Sequence, residues 1–459
     1  MTEPPKKAKS KRQAESPSDK PPAAYFLSLD VERVLCFKDK QVLDLSDGNG
    51  NPAQWTVILG NNGVGKTTLL RCLAGMEVVH LPEYEDALPL LFRISSSKYL
   101  RNWNDLETLF LSGARCSASF LSGIKLTEIN EDSTLFPRGE APKVYCSIDI
   151  GVSISKSDCW KSIENLQCYG YGAIRKPGKI SLTDSFNSEN SASLFLDDCE
   201  LINAEEWLLQ TDYSIKTASG QTYNRLKQQF DQMTDALKRI LPDVEDIQIA
   251  PADEERSRPT TEFLTPYGWV QLSSLGLGYR TMIAWMVDLA ARLFQRYPDS
   301  PDPLAEPAIV LVDEIDLHLH PKWQRTIMSF LTERFPNTQF IVTAHSPLVV
   351  QAAKNANIVL LRREGDRVVI DNNPEIVDNW RVDQVLTSVF ELPTARPADV
   401  EPLLIRRQEL LSQAHLSESD EAELRELEAG IGTLPTGESL EDIKAMDIIR
   451  RAAKLLENS

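Results

Sequence analysis

With 459 residues the chain is long enough for several domains, or for one domain interrupted by an insertion. Its 49 basic and 67 acidic residues leave a formal charge of −18, which excludes a protein that coats nucleic acid with a broad basic face; any such contact is local. Seven scattered cysteines with no Cys-x-x-Cys pair exclude a disulfide framework and a zinc ribbon and point to a cytoplasmic protein.

Residues 1–23 hold the one dense basic run, Lys6 to Arg12, in a stretch rich in Pro, Ser and Lys. It has too little apolar content to fold and reads as a disordered basic tail. The N-terminus has no signal-peptide pattern. No apolar run reaches the ~18 residues of a membrane span, because even "TMIAWMVDLAARLF" is broken by Asp288 and Arg292; no membrane association is expected.

Thr56 to Leu59 form a short apolar strand that runs into "GNNGVGKTT", and Leu69, Leu70 and Leu73 then fall on one face of a helix. This is the phosphate-loop pattern G-x-x-x-x-G-K-T in the strand–loop–helix setting it requires. Gly60, Asn61, Asn62, Gly63, Val64 and Gly65 curl so that backbone amides point at phosphate oxygens, and the helix beginning near Lys66, Thr67 and Thr68 adds its dipole. Lys66 reaches the β- and γ-phosphates and Thr67 offers a hydroxyl to magnesium, so ATP and Mg2+ are the expected cofactors.

From about 77 to 265 Pro and Gly breaks punctuate the chain, and a helical pattern covers residues 222–241; the uninterrupted heptads of a long coiled coil do not appear. Gln167 is a candidate γ-phosphate sensor, or an ordinary surface glutamine. The stretch "VQLSSLGLGYRTMIAWMVDLAAR" puts a glycine-rich turn, with Gly276 and Gly278, ahead of an apolar helix.

Ala308 to Val312 read as a strand buried on both faces and end in Asp313 and Glu314, followed by Asp316, His318 and His320. Carboxylates with an His-x-His pair suit zinc or iron. Beside a phosphate loop, the same acids suit nucleotide chemistry better. Asp313 then serves magnesium, Glu314 polarises the attacking water, and the turn from Asp316 onward lies at a subunit interface. A second buried strand ends at His345, placed to donate to the γ-phosphate. Beyond residue 375 come two or three charge-rich amphipathic helices with neither a Toprim acid cluster nor histidines enough for an HNH nuclease, since His415 alone follows His345. They read equally as a cap on the ATPase or as a docking arm for an effector.

Phosphate loop, "VLVDE" and "TAHSP" in this order resemble the ABC-type ATPases of the SMC/RecF kind. The resemblance implies an α/β fold: an ABC-type P-loop ATPase core with a parallel-rich sheet, an inserted segment and a helical C-terminal region. The boundaries are an N-terminal half at 24–95, an insertion at 96–265, a C-terminal half at 266–375 and the helical region at 376–459. It also implies a homodimer or higher oligomer closed on composite ATP sites, in which a Leu-Ser-x-Gly signature reaches the partner's nucleotide. Here Gly276 stands where the serine belongs and Gly278 at the glycine, which keeps the amides, drops a hydroxyl and implies slow hydrolysis. Ser273 or Ser274 replaces it only in a shifted register.

"LVDEIDLHLHPKWQ", "GYR" before a helix ending "DLAAR", and "YGYGAIR" narrow the likeness to the ATPase subunits of Septu anti-phage systems, including those found beside retrons. That likeness implies an ATPase that regulates an HNH nuclease supplied in trans, with a retron reverse transcriptase and its nucleic acid as further partners. The competing expectation is a RecF- or SMC-like nucleic-acid clamp without an effector.

Overall fold

The computed structural model describes residues 23–75, 167–179, 190–254, 257–374, 381–390, 392, 399–411 and 417–431, together with the strand backbones at 110–122 and 143–149. The basic tail to residue 22, His415 and the last helical pattern, after residue 431, lie outside them.

The first half of the chain supplies β1 (Ala24–Val34), β2 (Gln41–Asp44), β3 (Trp55–Gly60), α1 (Lys66–Gly75), β4 (Phe110–Ser122), β5 (Lys143–Asp149) and β6 (Cys168–Tyr171). Strands β2-β1-β4-β5 pair in that order as an antiparallel sheet. Along β1, Phe26, Leu29 and Val31 are buried while Tyr25, Ser28, Asp30 and Glu32 are half-exposed, the alternation of a sheet with one face on a core, interrupted by buried Leu27 where the register shifts. The segment expected as an insertion at 96–265 is therefore not one appendage. It gives β4 and β5 to the sheet that begins at Ala24, and β6 to a second, central sheet.

Next come α2 (Ala192–Phe195), α3 (Ala204–Thr217) and α4 (Gly220–Ile240), the antiparallel strands β7 (Asp246–Ala250), β8 (Thr260–Thr265) and β9 (Gly268–Gln271), and α5 (Leu277–Arg296). The central sheet is then completed by β10 (Ala308–Val312), β11 (Thr338–Thr343), β12 (Asn357–Glu364) and β13 (Arg367–Asp371), with α6 (Pro321–Gln324), α7 (Ile327–Arg334) and α8 (Pro347–Ala352) between them. Its order is β13-β12-β3-β11-β10-β6, and every pair is parallel except β12 with β13. β3, β10 and β11 are buried at every residue, which is why their sequences run apolar without alternation.

One face of this sheet shares a core with α1 and the antiparallel sheet, built from Phe26, Leu29, Leu43, Ile58, Leu69, Leu73, Ile341 and Val359. Buried Gln339 ties the two sheets, accepting from Phe26 N and donating to Phe26 O, each at 2.8 Å. Near the β6 edge lies α5, almost wholly buried from Thr281 to Phe294. Its Asp288 accepts from Tyr171 Oη (2.9 Å), Ile202 N (3.0 Å) and Arg292 Nε (2.8 Å), and Arg292 also donates to Asn190 Oδ1. "YGYG" and "DLAAR" are thus two halves of one buried network. Burial opposes the Arg292 charge, but Asp288 prevails and raises its pKa; burial, then Asp288, pushes the Tyr171 hydroxyl well above its ordinary value.

Asp383–Ser459 forms a second compact unit, so the units part at Val382 rather than at residue 375. At this junction and beyond, the helices described are α9 (Val382–Ser388), α10 (Glu401–Leu411) and α11 (Glu418–Ile431). The last two are joined by Arg406–Glu423 and Arg407–Glu428 pairs, and Leu410 is fully buried.

Candidate functional site

In a parallel sheet the loops leaving the carboxyl ends of adjacent strands converge, and that edge is where ligands bind. Here those ends carry the phosphate loop after β3, the acids after β10, His345 after β11 and the turn to Arg175 after β6. A cavity of about 280 Å³ opens among them, lined by Asn62, Gly63, Gly65, Lys66, Thr67, Thr68, Asp313, Glu314 and His345, with Leu35 and Cys36 from the turn after β1.

Lys66 is 7% exposed, and its ammonium donates to Gly60 O (2.8 Å) and Asn61 O (2.9 Å), which holds it over the loop. Burial lowers its pKa, and Asp313, Glu314 and Asp316 oppose the shift. Gly65 is required as glycine. Its φ is +89°, and a Cβ would stand 2.6 Å from Cys36 Sγ, so a side chain would be strained and would press the loop off its neighbour.

Thr67 Oγ1 donates to Asp313 Oδ2 at 2.7 Å, while Thr343 Oγ1 donates to Asp313 Oδ1 at 2.6 Å and accepts from Glu314 N at 2.7 Å. The expected partners Thr67 and Asp313 are therefore brought together, and Thr343, which no local pattern marks, fixes both acids from β11. A hydroxyl beside a buried carboxylate is an oxygen-only donor set, which fits a hard ion such as Mg2+. Glu314 and His345 face each other with Oε1 and Nε2 3.9 Å apart, beyond a hydrogen bond.

The acid-rich turn is held from several sides. Asp316 accepts from His345 N, Gln324 Nε2 donates to the carbonyls of Asp316 and Leu319, and Ser346 Oγ donates to Gln324 Oε1. Asp316 thus anchors the β11 loop. His320 Nδ1 accepts from Lys322 N and caps α6, and His318 takes a left-handed φ of 64°. Gly278, in the first turn of α5, lies so close to the His318 carbonyl that a Cβ there would collide with it, which explains why this position is a glycine. Gly276 is the N-cap of α5, exposed, with no side-chain cap; Ser273 and Ser274 are exposed in the turn before it.

Two residues depart from expectation. Gln167 precedes Cys168, which pairs with Ile309 at the opening end of β10. Asp313 lies four residues further on, a distance of about 13 Å at strand spacing, so Gln167 stands at the wrong end of its strand to sense a phosphate. It accepts a long hydrogen bond from Tyr169 Oη instead. Arg175, at the close of "YGYGAIR", belongs to the site although no local pattern marks it: it is 2% exposed, with Nη2 donating to Glu314 O at 2.6 Å. Burial lowers its pKa to about 10, against the pull of Asp313, Asp316 and Glu314.

The family profile described as "AAA domain, putative AbiEii toxin, Type IV TA system" matches residues 170–351. The "Retron Ec83 probable ATPase" of Escherichia coli is 31% identical over 48% of this chain and 37% of its own length. The "Retron Vc95 probable ATPase" of Vibrio cholerae is 27% identical over 67% and 68%, and "Septu protein PtuA" of Bacillus mycoides 24% identical over 87% and 50%. The chain therefore spans little more than a third of the first relative and half of the third. A solved SMC head bound to a ScpA domain aligns over 76% of this chain and 97% of its own, at 14% identity and a TM-score of 0.39. The strand order, not that likeness, carries the fold assignment. The chain is similar to Septu PtuA and to retron ATPases, its fold is α/β with a parallel-rich central sheet, and no described helix is long and apolar enough to cross a membrane.

Proposed function

We propose that this chain binds and hydrolyses ATP as the regulatory subunit of an anti-phage defence complex, and that it controls an HNH-type nuclease supplied by a separate chain. The observation that carries the reading is the convergence of Lys66, Thr67, Asp313, Glu314 and His345 on one cavity at the carboxyl ends of parallel strands. The loop amides and Lys66 bind the β- and γ-phosphates, and Glu314 takes a proton from the attacking water while His345 donates toward the γ-phosphate. Thr67 and Asp313 would hold Mg2+, which neutralises phosphate charge when bound.

The open N-terminus of α5 supports a two-copy arrangement of the ABC type. Exposed Ser273, Ser274, Gly276 and Leu277 present backbone amides, and the dipole of a 20-residue helix, to an anion brought by a second copy. Among the described residues between the two halves of the site, the longest helices before α5 are α3 and α4, at 14 and 21 residues, shorter than the coiled-coil arms of an SMC-type clamp. The Septu and retron relatives supply the defence context, and exposed Ile405 on α10 offers an apolar contact for an effector.

Two measurements test the proposal. The purified chain should hydrolyse ATP in a magnesium-dependent reaction; absence of both binding and turnover overturns the ATPase assignment. The full chain, but not one ending at Val382, should co-purify with a co-expressed HNH-type nuclease, both forms of the chain first shown to be folded and to bind ATP. Equal recovery would move the docking surface to the ATPase unit, and no recovery from either would remove the nuclease from the proposal.

A further inference from the structure

Glu314 has a backbone problem. Its φ is +49°, in the left-handed region that costs a non-glycine residue of order 1 kcal/mol or more, and such conformations persist only where the surroundings impose them. Its amide is held by Thr343 Oγ1 at 2.7 Å. Its carbonyl is held twice, by Leu317 N at 3.0 Å within the turn and by Arg175 Nη2 at 2.6 Å from the neighbouring strand end. Between these anchors the carboxylate faces His345 and the cavity.

Arg175 is an unusual choice for a carbonyl anchor. A buried guanidinium is costly unless charge and hydrogen bonds surround it. This one is 2% exposed, adopts a φ of +39° itself, and leaves Nε buried without a hydrogen-bond partner among the described residues. Its compensation is the charge of Asp313, Asp316 and Glu314. A donor serving only to fix a turn would not need that charge; one that binds a turn bearing three carboxylates does.

We propose that Arg175 is the positioning residue of the hydrolytic step: through the Glu314 carbonyl it holds that residue in its left-handed conformation and so aims the carboxylate into the cavity. It does not touch the nucleotide. The proposal rests on the ATPase reading for its kinetic consequence, but its structural consequence is independent of turnover.

The test compares wild type, Arg175→Met and Arg175→Lys as full chains. Crystal structures should show Glu314 leaving positive φ in Arg175→Met and keeping it in Arg175→Lys, whose ammonium retains a charge and a donor. An unchanged Glu314 backbone in Arg175→Met overturns the proposal, whether or not the wild type hydrolyses ATP; no turnover by the wild type counts against the ATPase reading alone. Kinetically, Arg175→Met should lower kcat by about 10²-fold with KM for ATP within about threefold, and Arg175→Lys should recover at least tenfold of that loss. A purely structural role would instead lower ATP affinity and melting temperature together and show no recovery with lysine. That outcome, or wild-type kcat in Arg175→Met, refutes it. Should Arg175→Met fail to fold, Arg175→Lys and Arg175→Gln are read in its place by the same two criteria.

Discussion

Two polar clusters meet at strand β6, and they are built on opposite principles. Around Asp288, every anchor turns inward: the carboxylate collects Tyr171, Ile202 and Arg292, all buried together. Around Asp313, the hydroxyls of Thr67 and Thr343 and the cation of Lys66 are tied down, but Glu314 and His345 stay about one-third exposed to the cavity, 3.9 Å apart. Tyr171 belongs to both, since its hydroxyl enters the first cluster and its carbonyl accepts from Asp313 N at 2.8 Å. A polar cluster that satisfies itself is structural, and one that leaves groups facing a cavity has capacity left for a ligand.

The comparison breaks if the clusters can be exchanged in effect. Lys66→Ala should abolish detectable ATP binding by calorimetry with magnesium present, while the melting temperature changes little; normal affinity would remove the phosphate loop from the site. Glu314→Gln should bind ATP normally yet lose roughly 10²–10⁴ in turnover and accumulate as an ATP-bound dimer on size exclusion. Unchanged turnover would place the base elsewhere.

In the other cluster the loss should appear as stability. Asp288→Asn leaves Arg292 buried without its counter-charge and should cost about 3–5 kcal/mol in denaturant unfolding, with ATP affinity in the surviving folded protein within about threefold. Adding Arg292→Met should recover part of the loss, because the uncompensated charge is then gone. If Asp288→Asn instead weakened ATP binding at unchanged stability, the distinction would fail. The smallest effect sharpens the signature: Gly276 has φ −58°, and a Cβ there meets only Tyr279 Cδ2 at 3.9 Å, so Gly276→Ser fits. It should add a few tenths of a kcal/mol as a helix cap, seen as a small rise in melting temperature, and raise turnover if a signature hydroxyl was the missing element.

The candidate chemistry-bearing pieces are legible from local pattern alone. A glycine-rich loop between a strand and a helix, and acids at the end of an apolar run, are local patterns whose backbone demands are met within about twenty residues, so Lys66, Thr67, Asp313 and Glu314 were legible before any fold was known. Which pieces meet was decided only in three dimensions. Thr343 and Arg175 act because parallel pairing brings the ends of β11 and β6 beside β10, a register set by contacts across more than a hundred residues for β6. The same register puts Gln167 at the wrong end of its strand, and strand pairing puts β4 beside β1 rather than in an inserted lobe. Strand identity is written in apolar runs, but strand order depends on long-range packing of faces, which a local pattern does not encode.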